Sequence, residues 1–141
     1  MRSKLLLRIA SILMLLHTIG HCFGALGWKK APNQLVAETI AGMENNHFNF
    51  MGRSTTLASF YSGYGIIMIF VLIVVSLFLW ILSGNIENPL AHRLLLPLAI
   101  FLGILAFTEY IYFFPFAAAF TAIAAICAAV ALNRKSGNNF R

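Results

Sequence analysis

The sequence predicts an all-α fold, a four-helix transmembrane bundle with an amphipathic helical loop between its first two helices, and three observations carry that reading. The 141-residue chain is 60% hydrophobic and 10% charged, with a mean hydropathy of +0.85, where a soluble domain has about 45–50% and about 25%. Its apolar residues gather into four stretches near the ~20 residues that a helix needs to cross a bilayer. Its basic residues stand in short groups beside those stretches, as they do in loops flanking membrane spans. One core in so short a chain cannot hide this much apolar surface from water, so lipid is the expected solvent and residues 1–141 read as a single integral membrane domain.

The first span is predicted from about Leu5 to Gly27. A cleaved signal peptide is the rival reading there, since Arg2, Lys4 and Arg8 precede Ile9 to Leu16 and Ala25-Leu26-Gly27 would serve for cleavage. The apolar run that continues through Ile19 and Phe23 to Trp28 favours a span. A lipoprotein signal would require a small residue where His21 precedes Cys22.

Between the first two spans, about residues 28–63 form the long extramembrane segment, read as an external lid. Pro32-Asn33 starts a helix with Val36, Ile40 and Met43 on one face, the pattern of a helix lying on a membrane or on the bundle. Asn45 to Phe50 reads as a turn, and Ser54 as the N-cap of a second helical piece from Thr55 to Tyr61. The second span, about Tyr64 to Leu82, has Ser76 as its one polar interruption from Ile66 onward, so most of its surface can face lipid. Gly63-Tyr64-Gly65 lacks the strand, Lys and Ser/Thr of a phosphate loop and points to flexibility or close packing at the start of that span.

The third span, about Leu90 to Ile111, opens with Asn88 as N-cap and Pro89 at its first position, where a missing N–H costs nothing; Pro97 is expected to bend it slightly. The turn that follows falls within Glu109 to Pro115, an aromatic cluster of interfacial type. The fourth span, about Phe116 to Leu132, carries Ala117, Ala118, Ala119, Ala122, Ala124, Ala125, Ala128, Ala129 and Ala131. Pairs four apart, Ala118/Ala122 and Ala125/Ala129, let backbones approach closely and mark a packing helix, able to dock a second copy or a membrane partner. Ser11, Thr18, Thr108 and Thr121 suit interhelical hydrogen bonds.

The formal charge of +6 does not point to nucleic acid, because the cations are not gathered on one soluble face. Counting them sets an orientation. Arg2, Lys4, Arg8, Arg93, Arg134, Lys135 and Arg141 lie on the side of both termini and Lys29, Lys30 and Arg53 on the other, which places the termini in the cytoplasm and the lid outside. Cys22 and Cys127 form no C-x-x-C pair, which disfavours a dithiol oxidoreductase. No repeat or pair of broken helices marks an inverted-repeat transporter, and a lone copy leaves little room for a pathway.

The chemistry-bearing feature is His17-Thr18-Ile19-Gly20-His21, two imidazoles one turn apart on one helical face. Ionisable groups inside a span are costly and face a partner, water or the bundle interior. By the topology above, Glu109 arrives near the level of His21, beneath the lid that carries Glu44 and His47, so His17, His21 and Glu109 can converge, with His47 a weaker fourth. Such a set fits a Zn or non-haem Fe site, a proton relay, or a small redox ligand such as a quinone. One iron with two axial haem ligands fits poorly, because both imidazoles project from one side. Structural roles compete: His17 as interhelical glue, His21 half-solvated at the interface, Glu109 as a loop acid if the helix ends at Thr108, and His47 solvated in its loop. The contrasting function class is a structural or accessory subunit that docks through its Ala-rich fourth helix.

Leu5-Leu6-Leu7-Arg8-Ile9-Ala10, His17-Thr18-Ile19-Gly20-His21, Trp28-Lys29-Lys30-Ala31-Pro32, Phe50-Met51-Gly52-Arg53-Ser54 and Tyr61-Ser62-Gly63-Tyr64-Gly65 resemble a group of small bacterial four-span membrane proteins. The resemblance covers mostly the first half of the chain. It implies four spans and an inner-membrane location, and it transfers no activity. A looser similarity to DoxX-like membrane proteins rests on size and span count alone.

Overall fold

The computed structural model describes residues 2–136, with the side chains of 134–136 left aside. In chain order the elements are α1 (Arg2–Gly27), α2 (Gln34–Asn45), β1 (His47–Phe50), β2 (Arg53–Thr56), α3 (Leu57–Gly84), α4 (Pro89–Tyr112) and α5 (Pro115–Ser136). The fold is all-α apart from one hairpin. Helices α1, α3, α4 and α5 are each long and apolar enough to cross a membrane, and only 22% to 33% of each apolar window is buried by protein. The remaining surface is rich in exposed Leu, Ile and Phe, such as Phe70, Ile81 and Ile104, which only a lipid solvent makes stable.

The described residues fall into two compact units. The first comprises those in Met1–Thr18 and Leu72–Arg141, the second Ile19–Val71. In the first unit each helix buries one stripe at spacings of three and four: Leu7, Ala10 and Met14 on α1; Leu72, Val75, Leu79 and Leu82 on α3; Leu95, Leu102 and Ala106 on α4; Ala117, Ala124, Ala128 and Ala131 on α5. Ser11 and Ser76 sit in the α1 and α3 stripes and exchange bonds, each hydroxyl donating to the other residue's carbonyl at 2.8 and 2.9 Å. Helices α4 and α5 run antiparallel across the short Phe113-Phe114 turn. The His92 imidazole near the start of α4 accordingly donates from Nε2 to the Leu132 carbonyl near the end of α5, at 3.1 Å.

The expected caps hold where side-chain chemistry dictated them. Asn33 accepts from the Val36 amide at 3.0 Å to open α2, and Asn88 accepts from the Leu90 amide at 2.9 Å with Pro89 behind it. Pro97 lies inside α4, which continues through it.

Three local expectations are corrected. Residues 47–50 form a strand rather than a turn, paired antiparallel with 53–56 in the register Phe48↔Thr55 and Phe50↔Arg53. The turn is Met51-Gly52, both with positive φ (51° and 83°), as a two-residue hairpin of right-handed twist requires. Ser54 is therefore a strand residue opposite Asn49, and the cap is Thr56, whose hydroxyl accepts the Ser59 amide at 3.2 Å. No separate helical piece precedes the second span, because α3 starts at Leu57 and runs through Gly63 and Gly65 unbroken. The ~1 kcal/mol that a helical glycine costs is small beside the packing of a long helix. In α5 the buried alanines are Ala117, Ala118, Ala124, Ala128 and Ala131, while Ala125 is half-buried and Ala129 exposed. The cation Arg141 lies outside the described residues.

Candidate functional site

His17 sits on the buried stripe of α1 one turn beyond Met14, and its ring is engaged on both nitrogens. Nδ1 lies 2.9 Å from the Thr121 hydroxyl of α5, and Nε2 lies 3.7 Å from Oε1 of Glu109 on α4. His17 is 7% exposed, Glu109 5% and Thr121 fully buried, so the three side chains are shielded from solvent and lipid alike. Glu109 reaches this position because α4 extends to Tyr112 and because 102, 106 and 109 continue one buried row. It is not the loop acid that an end at Thr108 would make it. Thr121 occupies the small-residue stripe of α5 between Ala117 and Ala124, and its β-branched hydroxyl is aimed at α1.

The arrangement constrains where protons sit. A separation of 3.7 Å is too long for a hydrogen bond, and the contact is an ion pair when His17 is protonated. Threonine can donate to Nδ1 or accept from it, and therefore suits either tautomer of the ring. The pair can exist as imidazolium with carboxylate or as imidazole with carboxylic acid, and both forms are net neutral. Neutrality is what a low-dielectric interior demands of two ionisable groups. The other Glu109 oxygen, Oε2, is buried with no hydrogen-bond partner.

The other expected site residues are placed elsewhere. His21 belongs to the second unit, where its Nε2 donates to the Gly65 carbonyl at 3.1 Å. A carbonyl only accepts, so this bond holds the ring proton on Nε2. A Cβ at Gly65 would stand 3.1 Å from the Ala25 Cβ, and the glycine is what lets α1 and α3 meet closely enough for that bond. His47 is exposed on β1 opposite Thr56. Glu44 pairs with Lys29 on the surface. Among the described residues no group of three or more His, Cys, Asp or Glu is placed to hold a metal ion.

The hydroxyls divide equally. Ser11 and Thr121 bond across helices, whereas Thr18 and Thr108 turn back to the Met14 and Ile104 carbonyls of their own helices at 2.8 and 2.9 Å. Two side chains that sequence reasoning passed over are His92 and Ser76 in its bonded role. The signal for Ser76 is its isolation in an otherwise apolar run; His92, near a helix end, offers none.

Comparison of the chain with family models, curated proteins and solved structures returns no match.

Proposed function

We propose that this chain is a multi-pass membrane protein that binds and passes a proton through the His17–Glu109 pair. The observation that carries the reading is the pair itself: an imidazole nitrogen and a carboxyl oxygen 3.7 Å apart, both buried in membrane-spanning helices, with Thr121 able to follow either tautomer. Histidine titrates near neutrality and is suited to relay when its second nitrogen has an adaptable partner. Of the metal, proton and redox-ligand readings, the proton needs the fewest donors, and two are what is present.

The same reading places the protein in a bacterial inner membrane with both termini cytoplasmic and residues 28–63 external. Support comes from the distribution of Arg and Lys beside the spans and from the resemblance to small bacterial four-span proteins.

Proteoliposomes loaded with a pH-sensitive dye and held at a potassium diffusion potential test it. Wild type should acidify the lumen faster than protein-free vesicles, and H17A and E109Q should each return the rate to the protein-free level. Equal rates for wild type and both variants would sink the reading.

A second reading, an accessory subunit, is favoured by one feature. An apolar groove of about 400 Å³ runs between α4 and α5, floored by Ala118, Ala119 and Ala122 and flanked by Phe107 and Tyr110, a shape that admits a small-residue helix face. Cross-linking from a cysteine at Ala119 in native membranes would produce a homo- or hetero-adduct on this reading; a monomer alone counts against it.

A further inference from the structure

In the second unit, the hairpin and the first turns of α3 enclose a groove of about 460 Å³, lined among others by Phe50, Arg53, Thr55, Ser59, Tyr64 and Ile67. Its composition is graded. Arg53 and the Ser54 and Thr55 hydroxyls stand at the hairpin end, and Tyr64 and Ile67 lead down the exposed face of α3 into its apolar run, where Ile67 and Phe70 are 58% and 64% exposed.

Helix length sets the depth of each end. The 28 residues of α3 measure about 42 Å at 1.5 Å per residue, against a hydrocarbon core of about 30 Å. The apolar run begins at Ile66 and is broken only by Ser76 as far as Leu82, so the turns before it stand in the headgroup layer. The aromatic residues there agree: Trp28 packs on Tyr61 at 4.8 Å between ring centres, and Phe60 on Tyr64 at 6.5 Å, an interfacial belt. Arg53, beyond the start of the helix, then stands at the level of the lipid phosphates.

Charge narrows the occupant. No carboxylate pairs with Arg53 among the described residues, and the lining holds no acid. A guanidinium with neighbouring hydroxyls matches a phosphodiester in bidentate geometry. An ammonium or choline headgroup finds no counter-charge in the lining, and Phe60 is already engaged with other rings: Phe48 and Tyr64 stack with it and Phe50 meets it edge-on at 5.5 Å.

We infer that this groove is a binding site for one anionic phospholipid, its phosphodiester held by Arg53 with the Thr55 hydroxyl on the same strand face and an acyl chain lying along Tyr64 and Ile67. The hairpin is the rigid element that carries the guanidinium over the end of the span.

The full chain in neutral detergent, titrated with dioleoylphosphatidylglycerol, dioleoylphosphatidylcholine or inorganic phosphate and read by native mass spectrometry, tests the site. Wild type should retain the glycerol lipid at least about fivefold better than the choline lipid, the ratio expected of one basic residue at an anionic headgroup. R53Q should lose that preference, R53K should keep part of it, and K30Q, which removes an exposed cation outside the groove lining, should leave it intact. Retention by R53Q at the wild-type level, equal retention of the two lipids, an equal loss in K30Q, or displacement of the lipid by inorganic phosphate alone would each overturn the assignment. The last outcome would make this a free-anion site.

Discussion

Glu109 presents Oε1 to the Nε2 of His17 across 3.7 Å while its Oε2 has no hydrogen-bond partner, and both side chains are more than nine-tenths buried. Each residue is tolerable in a membrane-spanning helix because the other is there. Removing one of such a pair strands the other, which typically costs about 3–5 kcal/mol, whereas replacing both with apolar groups is often neutral. We expect H17L to lower thermal stability in detergent sharply and H17L/E109L to recover most of the loss. Strict additivity of the two single effects in a double-mutant cycle would show that the pair is not coupled.

Thr121 tests the other face of the same ring. Valine keeps the shape and removes the hydroxyl, leaving Nδ1 of His17 without its 2.9 Å partner at an expected cost of about 1–3 kcal/mol. Nitrogen NMR on labelled histidine should show a changed tautomer balance for His17 in T121V and a wild-type spectrum in T121S. An unchanged spectrum in T121V would mean that the hydroxyl does not govern the ring.

Ser11 and Ser76 share one reciprocal bond pair, so their losses should not add. Hydrogen bonds between membrane helices average about 0.6 kcal/mol, with a maximum near 1.7. S11A and S76A should each cost an amount in that range, and S11A/S76A no more than the larger single loss, as read from the unfolding midpoint in mixed micelles. A double variant that loses the sum of both would place the two hydroxyls in separate interactions.

Gly65 is set by its neighbour Ala25. Alanine at 65 brings two methyl groups to 3.1 Å, closer than carbon atoms pack, so α1 and α3 must shift by a few tenths of an ångström and lengthen the His21–Gly65 bond. We expect G65A to destabilise and A25G/G65A to recover much of the loss, because the second change restores the space. No recovery would mean that the Ala25 contact is not the source of the cost, since alanine is the better helix former at that position.

The all-α class and the four spans were legible because they rest on long runs of one solvent preference. Asn33, Asn88 and Pro89 were legible because capping depends on residues adjacent in sequence. The hairpin was not. Its alternation of Phe48, Asn49 and Phe50 spans only a few residues, and its turn seats Met51 at positive φ where Asn or Gly is the usual signal. The start of α3 was misplaced for a related reason: two glycines near its N-terminus imitate a boundary that the length and packing of the helix override.

The sequence by itself determined the solvent, the number of spans and the fact that His17 lies within an apolar helix, since hydropathy and helical spacing act along one chain; that Glu109 lies within α4 was settled by the structure. Only the tertiary structure decided their partners. His17 and His21 share a helix face at i, i+4 and looked equivalent, yet His17 meets Glu109 and Thr121 while His21 donates to the Gly65 carbonyl. That choice belongs to the packing of α1, α4 and α5, where rotations of a fraction of a turn decide which polar atoms face each other. Such rotations follow from how side chains from several helices interlock, and no single helix encodes them.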